Sequence, residues 1–178
     1  MKTVTSLARE LTWGTEIQIE TVPRSIAKRP AGRRFGALVH SMLATVDLNC
    51  TRADIDSAAA LHGRLVNATQ EEIDAAVTTV VDALNYPLMR RAAALSTGSL
   101  RREVPIMLRL DDGSLAEGVV DLTFVDEGSD FTGWTVVDFK TDLEFDSGRA
   151  EYSAQVALYA DAIARATNSE ARGILLVV

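Results

Sequence analysis

"WTVVDFKTD", residues 134–142, is the stretch on which the reading of this chain turns. Val136 and Val137 are β-branched and Trp134 and Phe139 aromatic, the composition of a buried strand. Asp138 and Lys140 lie two apart within it, so a strand aims both to one face. Buried charges are costly unless paired or bound to a metal. One strand upstream the apolar run GVVD ends on Asp121, as TVVD ends on Asp138. On adjacent antiparallel strands the two carboxylates converge, and like charges need a cation to hold them. A divalent ion with oxygen ligands does this, taking one or two protein carboxylates plus water and phosphate. A lysine beside it orients or deprotonates a water, or steadies charge developing on a phosphorane. The stretch thus reads as half of a metal-dependent phosphodiester hydrolysis site. The same residues also read as a structural Asp–Lys pair at the wet end of a strand.

Working outward, REVPIMLRL (102–110), SLAEGVVDLTFVD (114–126) and WTVVDFKTD read as three strands, joined by DDGS and EGSDFTG. A helix follows over about 148–166, striped with Tyr152, Val156, Tyr159 and Ile163, and GILLVV closes the chain as a fourth buried strand. Short turns make the first three an antiparallel meander, and the helical crossover brings the last strand in parallel. Upstream the period is helical. Phe35, Leu38, Val39, Met42, Leu43 and Val46 form one stripe, and a second helix covers Asp56 to Val66. A third opens at Thr69 with Glu72 at capping-box spacing. Pro87 starts a fourth, with Gly98 closing it. Residues 1–30 read as an irregular arm with a short helix near Ser6 to Leu11. The expected fold is a mixed α/β (α+β) sheet with an N-terminal helical half, spanning 31–98 (helical) and 99–178 (sheet).

The 178 residues suffice for one sizeable core, and 47% hydrophobic with 24% charged content is that of an ordinary globular chain. No apolar run approaches a membrane span, and from the polar start MKTVTSLARELTWGTE no secretory leader is expected. The single cysteine, Cys50, forms no internal disulfide or thiolate cluster, so the expected location is cytoplasmic and no membrane partner is expected. The net charge of −7 argues against an extended nucleic-acid surface, but Arg24, Lys28, Arg29, Arg33 and Arg34 form a local basic run without an acid. Arg90 with Arg91 and Arg101 with Arg102 make two more basic spots. All of these also read as solvated, helix-flanking surface.

GRRFGALVH sets Gly32, Gly36 and His40 four apart, one ridge of a helix. Glycine inside a helix costs about 1 kcal/mol relative to alanine, so two on one face suggest that another backbone passes there. His40 ends that track as a metal ligand or as a satisfied core histidine.

GRRFGALVH, EGVVDL, VVDFKTD and YSAQVALYADAI, in this order, resemble the RecB-family nuclease domain of the PD-(D/E)XK superfamily, with the look of the AddA and RecB helicase–nuclease subunits. The likeness covers roughly residues 32–178 and implies a restriction-endonuclease-like core. It further implies that His40, Asp121, Asp138 and the main-chain carbonyl of Phe139 bind Mg²⁺, for which Mn²⁺ substitutes, while Lys140 acts at the attacking water. Gln155 and Tyr159 match the family's Q-x3-Y motif and support the site or touch DNA; Tyr159 reads equally as core. Glu103 matches an acidic position on the first strand, where it assists the site or forms a surface salt bridge. Thr141 completes a KT pair, and with Arg33 and Arg34 stands as a DNA contact. Relatives with an iron–sulfur cluster carry four cysteines, so no such cluster is expected here. The implied activity is metal-dependent deoxyribonuclease, an exonuclease of an AddAB/RecBCD-like complex in double-strand-break repair and recombination. Its expected partners are DNA unwound by a helicase, that helicase domain in the same or a neighbouring chain, and a second subunit. Two alternatives stand beside it: a catalytically inactive DNA-binding or subunit-contact module, and a stand-alone phage- or restriction-type exonuclease.

Overall fold

Alternation of period two from Leu100 onward produces strands, and three-and-four spacing before it produces helices. The computed structural model describes residues 2–3, 17–25, 29–95, 97–109, 113, 115–128, 130–141 and 145–178. Among the described residues of the first thirty are two short strands, β1 (Lys2–Thr3) and β2 (Gln18–Thr21). The expectation of an irregular arm therefore missed two strands, which are too short to show an alternating pattern. The short helix expected near Ser6 to Leu11 lies outside the described residues.

Helices α1 (Arg33–Thr45), α2 (Arg52–Leu65), α3 (Gln70–Asn85) and α4 (Pro87–Ala93) follow. The stripe of α1 buries Phe35, Leu38, Val39, Met42 and Leu43. α2 begins four residues before the expected start, because Thr51 caps it. The Thr51 side chain accepts from the Asp54 N–H, and Asp54 accepts from the Thr51 N–H at 2.8 Å. Thr69 and Glu72 form the expected box on α3. Pro87 stands in the first turn of α4, as expected. Gly98 does not close that helix, which stops at Ala93; Gly98 lies in a separate 3-10 turn, Thr97–Ser99.

Then come β3 (Leu100–Arg109), β4 (Leu115–Glu127), β5 (Thr132–Lys140), α5 (Phe145–Thr167) and β6 (Ala171–Val177), the expected β-β-β-α-β order. The sheet runs β1-β4-β5-β6-β2, with β3 also paired to β4. β3–β4 and β4–β5 are antiparallel, and β1 joins β4 in parallel. β6 lies beside β5, the Trp134 N–H donating to Glu170 O at 2.8 Å and the Val178 N–H to Lys140 O at 2.9 Å. Both positions advance together, so the pair is parallel. This is the mixed α/β architecture expected of a restriction-endonuclease-like core.

The chain divides into a sheet unit (within 1–20, 96–138 and 146–176) and a helical unit (21–95, 139–145 and 177–178). The boundary cuts β5 between Asp138 and Phe139. In the sheet unit, α5 lays Leu158, Tyr159, Ala162 and Ile163 against Val104, Ile106, Leu108, Ala116, Val120 and Val136. A buried polar network also ties three strands. Asp126 of β4 pairs with Arg172 of β6 at 2.6 Å, Thr135 of β5 donates to the same carboxylate at 3.3 Å, and Arg172 Nε donates to Thr135 Oγ1 at 3.0 Å. No described helix is long and apolar enough to cross a membrane.

Candidate active site

The β4–β5 ladder runs from Glu127 opposite Thr132 to Leu122 opposite Val137. Asp121 and Asp138 are the next residues on their strands, so both carboxylates sit where the pairing stops. A break in the pleat coincides with this point. Val136 and Trp134 pack in the α5 core, and their partners across the ladder are Thr123 and Val125. Opposite residues share a face. Yet earlier in β4 the residues in that core are Ala116 and Val120. The inward set is therefore even-numbered up to Val120 and odd-numbered from Thr123, and the switch falls at Asp121–Leu122. Such local breaks re-aim a side chain and recur beside active sites.

The neighbouring strand is distorted at the same level. Arg102 stands opposite Leu122 and Val104 opposite Val120, so Glu103 and Asp121 lie at the same level between them. Glu103 has φ +49, a left-handed backbone that a glutamate inside a strand adopts only under constraint.

Tyr159 and Gln155 lie one turn apart on α5, and the Gln155 amide donates to the Tyr159 hydroxyl at 3.0 Å. The phenol's pKa is pushed up to about 12, first by burial, then by the charge of Asp138 and also of Asp121; Gln155 and the Val119 main chain pull it back in part. Both carboxylates are thus near one phenol, which is neutral at physiological pH. Gly118 explains how the ring lies so close to β4. A Cβ there would stand 2.7 Å from Tyr159 Cε1 and 2.8 Å from its hydroxyl. Tyr159 is part of the core, one of the two roles that the sequence left open.

In the helical unit, the His40 ring meets the Phe139 ring edge-on, centroids 6.3 Å apart. A Cβ on Gly36 would stand 2.8 Å from Thr141 Oγ1, so the close neighbour at Gly36 is a side chain and not the passing backbone that the glycines suggested. Such a neighbour is absent at Gly32, the N-cap of α1 with φ +96, where an added Cβ would meet nothing within 4 Å among the described residues. The expected ridge is therefore two residues, and Gly32 serves a backbone conformation instead. Thr141 is only 7% exposed, and its carbonyl accepts from Arg29 Nη2 at 3.0 Å. Arg33 is exposed at the start of α1. Arg34 Nε donates to both carboxylate oxygens of Glu72 at 3.0 Å, a partner the sequence reading did not assign. Asp138 is 3% exposed, and Lys140 is half-buried two residues on.

The two carboxylates of the sheet unit, Asp121 and Asp138, are donors that suit a hard divalent cation. Among the described residues no three His, Cys, Asp or Glu side chains stand together as a ready metal cage. Two protein carboxylates completed by water and phosphate are enough for Mg²⁺.

The family model of the PD-(D/E)XK nuclease superfamily matches residues 14–177. The chain belongs to that superfamily, whose members are generally nucleases that use divalent metal ions. A search of curated proteins found no match.

Proposed function

We propose that this chain is a Mg²⁺-dependent deoxyribonuclease domain whose reacting centre is Asp121, Asp138 and Lys140. The observation that supports it best is the placement of Asp121 and Asp138 at the same end of the β4–β5 ladder, in a chain that matches the nuclease superfamily. Asp121, Asp138 and the Phe139 carbonyl would hold the metal, with His40 as a further ligand. When bound, the ion lowers the pKa of a coordinated water and offsets phosphate charge. Lys140, on the strand face of Asp138, holds its ammonium toward the attacked phosphate and stabilises the charge that builds there. Tyr159 stays protonated, and its hydroxyl accepts from Gln155, so its own proton is available to orient a carboxylate. The left-handed Glu103 beside Asp121 supplies another acid for water.

The resemblance to RecB and AddA subunits supports a finer reading. The domain would degrade DNA delivered by a helicase, acting as an exonuclease in an AddAB/RecBCD-like complex during double-strand-break repair. Arg33 is the better of the two arginine candidates for phosphate, because Arg34 already has Glu72.

The test is cleavage of linear single- and double-stranded DNA with Mg²⁺, Mn²⁺ or EDTA, wild type beside Lys140→Ala. Metal-dependent cleavage lost in the variant is the expected result. Equal cleavage by both proteins would reject Lys140. If neither cleaves, calorimetric titration with Mg²⁺ decides, since an inactive DNA-binding module binds no metal through Asp121 and Asp138.

A further inference from the structure

Arg29 belongs by sequence to a basic run that reads as solvated surface. Its surroundings differ from that. The guanidinium is half-buried, lies 5.6 Å from the centre of the Phe35 ring, and donates from Nη2 to the Thr141 carbonyl at 3.0 Å. Its Nε is buried with no hydrogen-bond partner among the described residues. Burial, and then the charge of Arg24, lower its pKa to about 10, a displacement a solvated arginine would not feel. It remains charged at neutral pH.

Its target is the residue that follows Lys140. The Thr141 hydroxyl faces Gly36, where a methyl group would not fit, and the Lys140 carbonyl accepts from the Val178 N–H at 2.9 Å. Consecutive carbonyls at the end of the D-x-K strand are thus each held by a separate donor. Only the planar guanidinium lies over a ring and donates in its own plane at once; a lysine cannot do both.

From this geometry we infer that Arg29 is a positioning residue, which clamps Thr141 and so fixes the direction in which Lys140 leaves the strand. The inference rests on Lys140 being the reacting lysine, as proposed above, and is separable from it by experiment.

Wild type, Arg29→Lys and Lys140→Ala are compared in two assays. The first is steady-state DNA cleavage with Mg²⁺. Arg29→Lys should lower kcat about tenfold to a hundredfold with KM nearly unchanged, the signature of a displaced reacting group. The second needs neither metal nor DNA: hydrogen exchange at the Val178 amide, which should quicken in Arg29→Lys while amides in β3 and β4 keep their protection. Normal kcat in Arg29→Lys beside an inactive Lys140→Ala overturns the inference. So does unchanged exchange at Val178. If Lys140→Ala cleaves like wild type, the reacting-lysine reading fails, and Val178 exchange alone still decides whether Arg29 pins the strand end. Should Arg29→Lys fold poorly, Arg29→Ala with millimolar methylguanidinium replaces it: recovery of Val178 protection supports the clamp, and no recovery overturns it.

Discussion

Gly118→Ala tests the link between β4 and the phenol. The added Cβ would stand 2.7, 2.8 and 3.1 Å from Cε1, the hydroxyl and Cζ of Tyr159. Carbon atoms pack at about 3.5–4.0 Å, so the ring must retreat by roughly 1 Å. It has little room: Tyr159 is 3% exposed and belongs to the core cluster with Val120, Val136 and Leu158. Overpacking of this kind costs about 1–3 kcal/mol, and loss of the 3.0 Å bond from Gln155 adds about 1 kcal/mol. For a chain of this size each kcal/mol lowers Tm by roughly 2–4 °C. Thermal unfolding should therefore show a Tm lower by about 4–16 °C. The cause is isolated by repeating the change in a Tyr159→Leu background. There the added methyl meets no ring, and Gly118→Ala should cost about 0.5 kcal/mol or less, a coupling of about 1 kcal/mol or more. Equal cost in both backgrounds would show that the glycine is needed for something other than the ring. DNA cleavage should fall with the single change, because the phenol is driven from the carboxylates.

Three further outcomes follow from the same structure. With a folded pKa of about 12 against an ordinary 10.0, Tyr159 stays neutral in the folded chain while the unfolded chain ionises, so stability is intact below pH 10 and falls as pH rises toward 12. The loss is about 1.4 kcal/mol per pH unit in that window, and denaturant titrations of Tyr159→Phe should lack it. Asp126→Ala strands the Arg172 guanidinium inside the network and should cost about 3 kcal/mol by urea unfolding; that is the lower end for a broken buried pair, since the Arg172 side chain keeps 21% exposure. In DNA-binding titrations over salt without metal, Arg33→Ala should shallow the log–log slope by about 0.7–0.9, one phosphate contact, whereas Arg34→Ala should change it less. Equal slopes for Arg33→Ala and wild type would return that arginine to ordinary surface.

Much of this protein was readable along the chain because the signals are local. The α1 stripe from Phe35 to Leu43, the Thr69 box and the alternating strands each need only neighbours within a few residues, and the β-β-β-α-β order follows from short turns and one crossover. Asp121, Asp138 and Lys140 stood out because charge in an apolar strand requires an explanation. β1 and β2 escaped because two and four residues carry no period, and Gly98 was misplaced because a helix end and a 3-10 turn share the same residue preferences. The sequence could nominate Gly36 but not Thr141 as its neighbour, 105 positions away.

What the sequence by itself determined is the kind of each longer element and the residues able to do chemistry, since both follow from side-chain type and spacing. Tertiary structure alone decided the rest. The pleat break at Asp121, the left-handed Glu103 beside it, the phenol packed against Gly118, and the Arg29 clamp on Thr141 all depend on which distant backbone lies within a few ångströms. Sterics and electrostatics act across that space, whatever the separation along the chain.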